Sequence, residues 1–202
     1  MLITLLAVTK VNSPDRFCIA GMTDNGKWIR PIPNDKANRF WLRRDLTRVT
    51  GEFTKSGDVW EIEGDSPDEF QFPNHTEDFI ITKRKYIKGL SNNELMDFLR
   101  GKVESESNFY DTINAKGRSL CLMQAETVIP QITNWNGVDK PKVKFYGSRF
   151  DLNNPKTKNN DYIVKDCKWV HLILQRVQLP ALSEITTVRL TDLFERQNHC
   201  NY

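Results

Sequence analysis

The stretch Phe17–Pro33, FCIAGMTDNGKWIRPIP, limits what this chain can become more than any other. It reads as strand, tight turn, strand. Asp24-Asn25-Gly26 supplies the turn, because Asn and Gly tolerate the positive φ that a tight hairpin requires. Phe17, Ile19 and the small Ala20-Gly21 form the first arm; Trp28, Ile29 and Ile32 carry the return. Pro31 and Pro33 have no N–H to give a ladder, so regular pairing is expected to end there. Side chains alternate along a strand, which puts Trp28 and Arg30 on one face and Lys27 and Ile29 on the other. A tryptophan beside an arginine is unusual for a pure core element. That face is the first candidate for function.

Ahead of the hairpin, Met1–Val11 is rich in Leu, Ile, Val and Thr and reads as an opening strand. Asn12-Ser13-Pro14-Asp15 turns it into the hairpin, giving a three-stranded meander. The Leu2–Val8 run is short, with no basic residue before it and no small-residue cleavage site after it, so no secretory leader is expected. Arg39–Val49 has near-helical apolar spacing over one or two turns. Val59–Glu63 alternates as a strand closed by Gly64-Asp65-Ser66-Pro67, and Thr76–Ile87 reads as a strand that turns basic. Ser91 and Glu94 form a capping-box pattern ahead of Leu95, Phe98 and Leu99, with Gly101 as the stop, so one capped helix is expected near residues 91–101. Residues 104–118 are polar and turn-rich. Strands are expected again at Leu120–Val128, Lys142–Phe150, Tyr162–Val164, Trp169–Leu174 and Thr186–Leu190, before a terminal helical turn at Thr191–Arg196. The expected fold is mainly β, a β-rich α+β chain of two small barrels, 1–104 with the helix and 105–202.

The net charge of +3 hides a segregated pattern. Residues 52–78 hold nine acidic residues against Lys55 alone; residues 39–48 hold Arg39, Arg43, Arg44 and Arg48 against Asp45 alone; residues 138–176 hold nine Lys/Arg and four Asp. Such a chain either presents a basic face to a polyanion or neutralises one set with the other in the fold. No apolar run approaches the roughly 20 residues that cross a bilayer. Cys18, Cys121, Cys167 and Cys200 are far apart without a CxxC pair. That favours reduced thiols, a cytoplasmic location and no zinc site.

Three segments together resemble the start of the prokaryotic dual OB-containing domain family: Leu6–Lys10, Cys18-Ile19-Ala20-Gly21, and Gly26-Lys27-Trp28-Ile29-Arg30-Pro31. Tyr162–Trp169, with Asp166 before a Lys-Trp pair, fits the family's second half more loosely. The resemblance implies two OB-like barrels and a nucleic-acid or nucleotide ligand. Its members look like components of bacterial or phage conflict systems. It brings no catalytic role, and a fold does not fix a ligand.

A single strand bound on an OB barrel needs rings for bases and cations for phosphates. Trp28 and Arg30 offer both; the alternative makes Trp28 a core residue and Arg30 a partner to a carboxylate. Arg39, Trp41, Arg43 and Arg44 add a second set, Arg84 and Tyr86 a third on one face of a strand, and Lys142, Lys144, Tyr146 and Arg149 a fourth. Each charge run has a solvated face as its alternative. Catalysis is poorly supported: His75, His171 and His199 lack metal-ligand spacing, and there is no nucleophile elbow or phosphate-cradling glycine loop. The expectation is a non-enzymatic module for single-stranded nucleic acid or a nucleotide, with no cofactor, no metal and no membrane. A protein partner in a multi-component system is the other expected contact. The rival reading is a protein-interaction adaptor with the Trp28 hairpin packed inside. A third is a phosphate-ester enzyme using Glu61 and Glu63.

Overall fold

Hydrogen bonding among five strands closes a barrel around one apolar core. The computed structural model describes residues 1–11, 15–35, 38–70, 72–113, 117–123, 127–146 and 161–163. In chain order the elements are β1 (Leu2–Lys10), β2 (Arg16–Met22), β3 (Trp28–Pro33), β4 (Trp41–Leu42), α1 (Arg43–Leu46), β5 (Asp58–Asp65), β6 (Asp78–Gly89), α2 (Asn92–Leu99), α3 (Glu106–Ile113), β7 (Thr127–Trp135), β8 (Val138–Tyr146) and β9 (Asp161–Ile163). The fold is mainly β, as expected. Two compact units divide it, Met1–Met123 and Gln124–Tyr202. Within the first unit Glu104, Gly117 and Ser119 accept hydrogen bonds from Trp28, Thr76 and Arg30.

In the first unit β1 pairs antiparallel with β2 and β5, β2 with β3, and β5 with β6; β3 and β6 then pair in parallel to close the ring. This meander, with a parallel closing contact and an antiparallel return strand, is the five-stranded OB arrangement. Pro31 does not end β3, contrary to the sequence expectation; pairing with β6 runs on to Pro33, the last residue of the strand. In a parallel pair only alternate residues bond to a given neighbour. Arg30 N–H donates to the Glu77 carbonyl at 2.7 Å, and the Pro31 carbonyl instead accepts from the Trp41 indole at 2.7 Å. The prolines stand at positions where no N–H is required.

Register shifts set which side chains face in. Along β1, Ile3 and Leu5 are buried, the pairing slips between Leu5 and Ala7, and Val8 is the next buried apolar residue. The inward parity changes from odd to even as β1 passes from β5 to β2. Along β6, Phe79 and Ile81 point inward, the register shifts opposite Glu63/Gly64, and Arg84 and Tyr86 then pair with the buried Ile62 and Trp60. Gly64 lies within β5 and not in a closing turn, because the strand continues to Asp65.

α1 is a single turn that buries Leu46 at one end of the barrel, beside Trp41 and Trp60 packed edge to face at 6.3 Å. α2 begins as the capping box predicts: the Glu94 N–H donates to Ser91 Oγ at 3.3 Å, and the Ser91 N–H donates to the Glu94 carboxylate at 2.7 Å. Ser91→Ala is expected to lower the unfolding free energy by about 1 kcal/mol in a urea titration. α3 was not expected, since its sequence reads as turn-rich. In the second unit β7, β8 and β9 form an antiparallel sheet with β8 in the middle. The β7–β8 turn is Asn136-Gly137, so the strands run Thr127–Trp135 and Val138–Tyr146 rather than the expected Leu120–Val128 and Lys142–Phe150. The strands expected at Trp169–Leu174 and Thr186–Leu190 and the turn at Thr191–Arg196 lie outside the described residues.

Candidate nucleic-acid interface

Trp28 and Arg30 do share a strand face, and the chain's own residues occupy it. The Trp28 indole donates to Glu104 Oε1 at 2.7 Å, and the same carboxylate accepts from the Leu122 N–H at 3.0 Å, from Asn108 at 3.2 Å and from Arg118 at 2.6 Å. Burial pushes the Glu104 carboxyl up, but these donors outweigh it and hold the group below the ordinary carboxylate range. The Arg30 guanidinium meets Glu77 at 3.0 Å, Asp78 at 3.3 Å, His75 Nδ1 at 2.5 Å and the Ser119 hydroxyl, leaving 12% of its side chain exposed. Burial, then the Arg30 charge, lowers the His75 pKa, so the ring is neutral at pH 7 and accepts at Nδ1. For these two residues the geometry matches the alternative set beside the ligand reading: an indole under an internal segment, and an arginine partnered to carboxylates.

The basic run 39–48 does not form one cationic face either. Arg39 pairs with Asp78 and lies 5.5 Å from the Phe72 ring; Arg43 lies 3.4 Å from Asp15 and stacks against Phe17 and Phe53; Arg48 bridges Glu52 at 2.8 Å and the fully buried Asp58 at 2.5 Å. Much of the acidic stretch 52–78 is therefore spent on the arginines. Trp41, 5% exposed, has no face left for a base and leaves the candidate set as a core residue. Arg44 remains in solvent, 82% exposed and 3.9 Å from Asp45. On the outer row of β6, Lys83 pairs with Glu63 at 2.8 Å and Lys85 stands opposite Glu61. The two glutamates share a face, as expected, and cations face them.

What remains is the row of β6 that stands opposite Ile62 and Trp60. Beyond the register shift, Arg84 lies 4.6 Å from the Trp41 ring and 4.9 Å from the Trp60 ring, and it donates to the Asp45 carbonyl. Among the described residues no carboxylate stands within ion-pair distance of it. Tyr86, 38% exposed, carries the Arg48 guanidinium 3.6 Å over its ring. These side chains line a cleft of about 460 Å³ whose opposite wall is the chain from Asp45 to Thr54. There Thr47 bridges to Phe53, the Arg48 N–H donates to the Glu52 carbonyl at 2.8 Å, and Val49 stands fully in solvent. Trp60 is not among the residues the sequence singles out; Arg48 is, as part of the basic run 39–48. Gly64, a glycine inside a strand pattern, was the available signal that parity would change.

A family model described as the dual OB-containing domain matches residues 3–162. The chain belongs to the dual OB-containing domain family. No curated protein and no solved structure matches it. The dual OB match begins in β1 and ends within β9, so it takes in residues of both units.

In the second unit of this dual OB chain, Lys142 is half-buried opposite Gln131, and Lys144 and Tyr146 stand at the register positions opposite Ile129 and Thr127. Arg149 lies outside the described residues, as do His171 and His199. Among the described residues no group of three or more His, Cys, Asp or Glu is placed to hold a metal ion, and no helix is long and apolar enough to cross a membrane. Cys18 and Cys121 are free thiols; burial raises both, and with Glu104 nearby Cys121 is pushed up to about 11. Neither is a ready nucleophile at neutral pH.

Proposed function

We propose that this chain is a non-enzymatic module that binds single-stranded nucleic acid or a nucleotide at the α1–β6 end of its barrel. Arg84 is the observation that carries the reading. A guanidinium laid on two indoles, lacking a paired carboxylate and lining a cleft beside a half-exposed tyrosine, has the make-up of a phosphate-and-base site. Arg44, at the rim, is positioned to meet an adjoining phosphate, and Lys142 and Lys144 are candidates on the second unit. Membership of a bacterial or phage defence system is part of the same proposal and rests on the resemblance of the N-terminal segments.

Fluorescence titration with a short labelled single strand at two salt concentrations tests it. If three phosphates are neutralised, affinity should fall about 20-fold between about 50 and about 200 mM salt, from a slope of about 0.7 per phosphate. Arg44→Ala, at an exposed position, should flatten that slope without moving the unfolding midpoint. Absence of binding at low salt sinks the strand reading.

The covered Trp28 face favours a second reading, the protein-interaction adaptor. It predicts a stoichiometric co-purifying protein and no retention on a polyanion column.

A further inference from the structure

The cleft is an open one of small volume, and its size bears on what kind of phosphate it suits. Its volume of about 460 Å³ falls within the roughly 300–1,000 Å³ of sites that hold one small ligand. A strand bound along its length needs an open track past successive rings and cations. Here Leu46 and Trp60 lie among the lining residues, the Asp45–Thr54 chain forms one wall, and Arg84 with Tyr86 forms the other.

Arg84 has five N–H donors, and the Asp45 carbonyl takes one nitrogen of the fork. The wall carboxylates have other engagements. Asp45 accepts from the Leu42 N–H at 3.1 Å, and its field reaches Arg84 without an ion pair; Glu52 accepts from Arg48 at 2.8 Å and from Thr50 at 3.3 Å. The strongest uncompensated demand in the cleft is thus for an anion that can accept a planar fork. A phosphate monoester, with three terminal oxygens and nearly two charges at pH 7, meets it better than an internal diester with one charge. Tyr86 has Arg48 over its ring and is 38% exposed within the cleft lining.

We propose that the cleft takes one terminal nucleotide by its phosphate monoester, with Arg84 forking the phosphate oxygens and Tyr86 receiving the base. The inference rests on the nucleic-acid reading above and narrows it from a strand to an end. A phosphorylated strand end and a free nucleoside monophosphate carry the same chemistry.

Intrinsic tryptophan fluorescence is a natural readout, since Trp41 and Trp60 flank Arg84. Wild-type protein is titrated with short oligothymidylate bearing a 5′-phosphate, with the same strand ending in a hydroxyl, and with adenosine 5′-monophosphate against adenosine. The phosphorylated strand is expected to bind at least tenfold more tightly than the hydroxyl-ended one, and the monophosphate to compete with it. Arg84→Lys keeps the charge, loses the fork and should erase most of that preference. Tyr86→Leu should weaken the phosphorylated strand and the monophosphate alike. Because both side chains pack at the barrel end, each variant is read beside its own unfolding curve; the wild-type comparison stands without them. Equal affinity for the two strands overturns the end-specific proposal and leaves the strand reading intact. Monophosphate binding without strand binding supports it with free nucleotides as the source. No response to any of the four ligands overturns both.

Discussion

Arg30→Ala is expected to lower the unfolding free energy by about 3–5 kcal/mol, measured by urea titration. The guanidinium stands between two carboxylates that have little access to water: 5% of the Glu77 side chain is exposed and 1% of Asp78. Removing one partner of a buried ion pair leaves an uncompensated charge, and that loss exceeds the modest net worth of the pair itself. Arg39 still faces Asp78 and Ser119 still donates to Glu77, so the lower end of the range is the better expectation. Arg30→Lys, with a charge but no fork, should recover part of the loss. A cost below about 1 kcal/mol would mean that water reaches the cluster once the side chain is gone. Loss of ligand affinity in Arg30→Ala is therefore no test of a ligand site on the hairpin.

Gly64→Ala is expected to cost roughly 3 kcal/mol or more, or to prevent folding. A Cβ there would fall onto the Ile80 carbonyl oxygen, 2.9 Å from its carbonyl carbon and 3.1 Å from the Phe79 ring, at a φ of +154° that L residues rarely adopt. Both obstacles on the Ile80 side are backbone, so no rotamer change relieves them. The same residue sits at the register shift that sets the exposed Arg84 and Tyr86 opposite the buried Ile62 and Trp60. A variant that still folds should lose the packing of Arg84 on Trp41 and Trp60, seen as a changed tryptophan emission. An unchanged midpoint with unchanged emission would show that β5 and β6 can yield here.

Local pattern made the meander, the α2 cap and most strand positions legible, because period, turn residues and capping atoms are neighbours in sequence. The fate of Trp28 was not legible: its partner Glu104 is 76 residues away. The charge runs misled for the same reason. Arg39 and Asp78, or Arg48 and Asp58, look like segregated patches until the barrel sets them side by side. Arg84 and Tyr86 were rightly placed on one face, but which face depended on a one-residue slip at Gly64, and strand periodicity cannot count through a slip. The prolines of β3 misled differently. A missing N–H bars a residue from a ladder only when that N–H would have pointed at the neighbouring strand.

The parallel contact between β3 and β6 also dictates when this chain can fold. Both outer edges of the N-terminal meander, on β1 and β3, wait for partners that come much later in synthesis, at residues 59–61 and 78–81. A nascent chain emerging from the ribosome would carry two open strand edges and an unfilled interior until β6 has cleared the exit tunnel. Non-local closure of this kind is slow and exposes edges prone to self-association. Synthesis halted inside β6 should thus yield an aggregation-prone species, not a smaller domain. The late-arriving strand that commits the fold is also the one that carries Arg84.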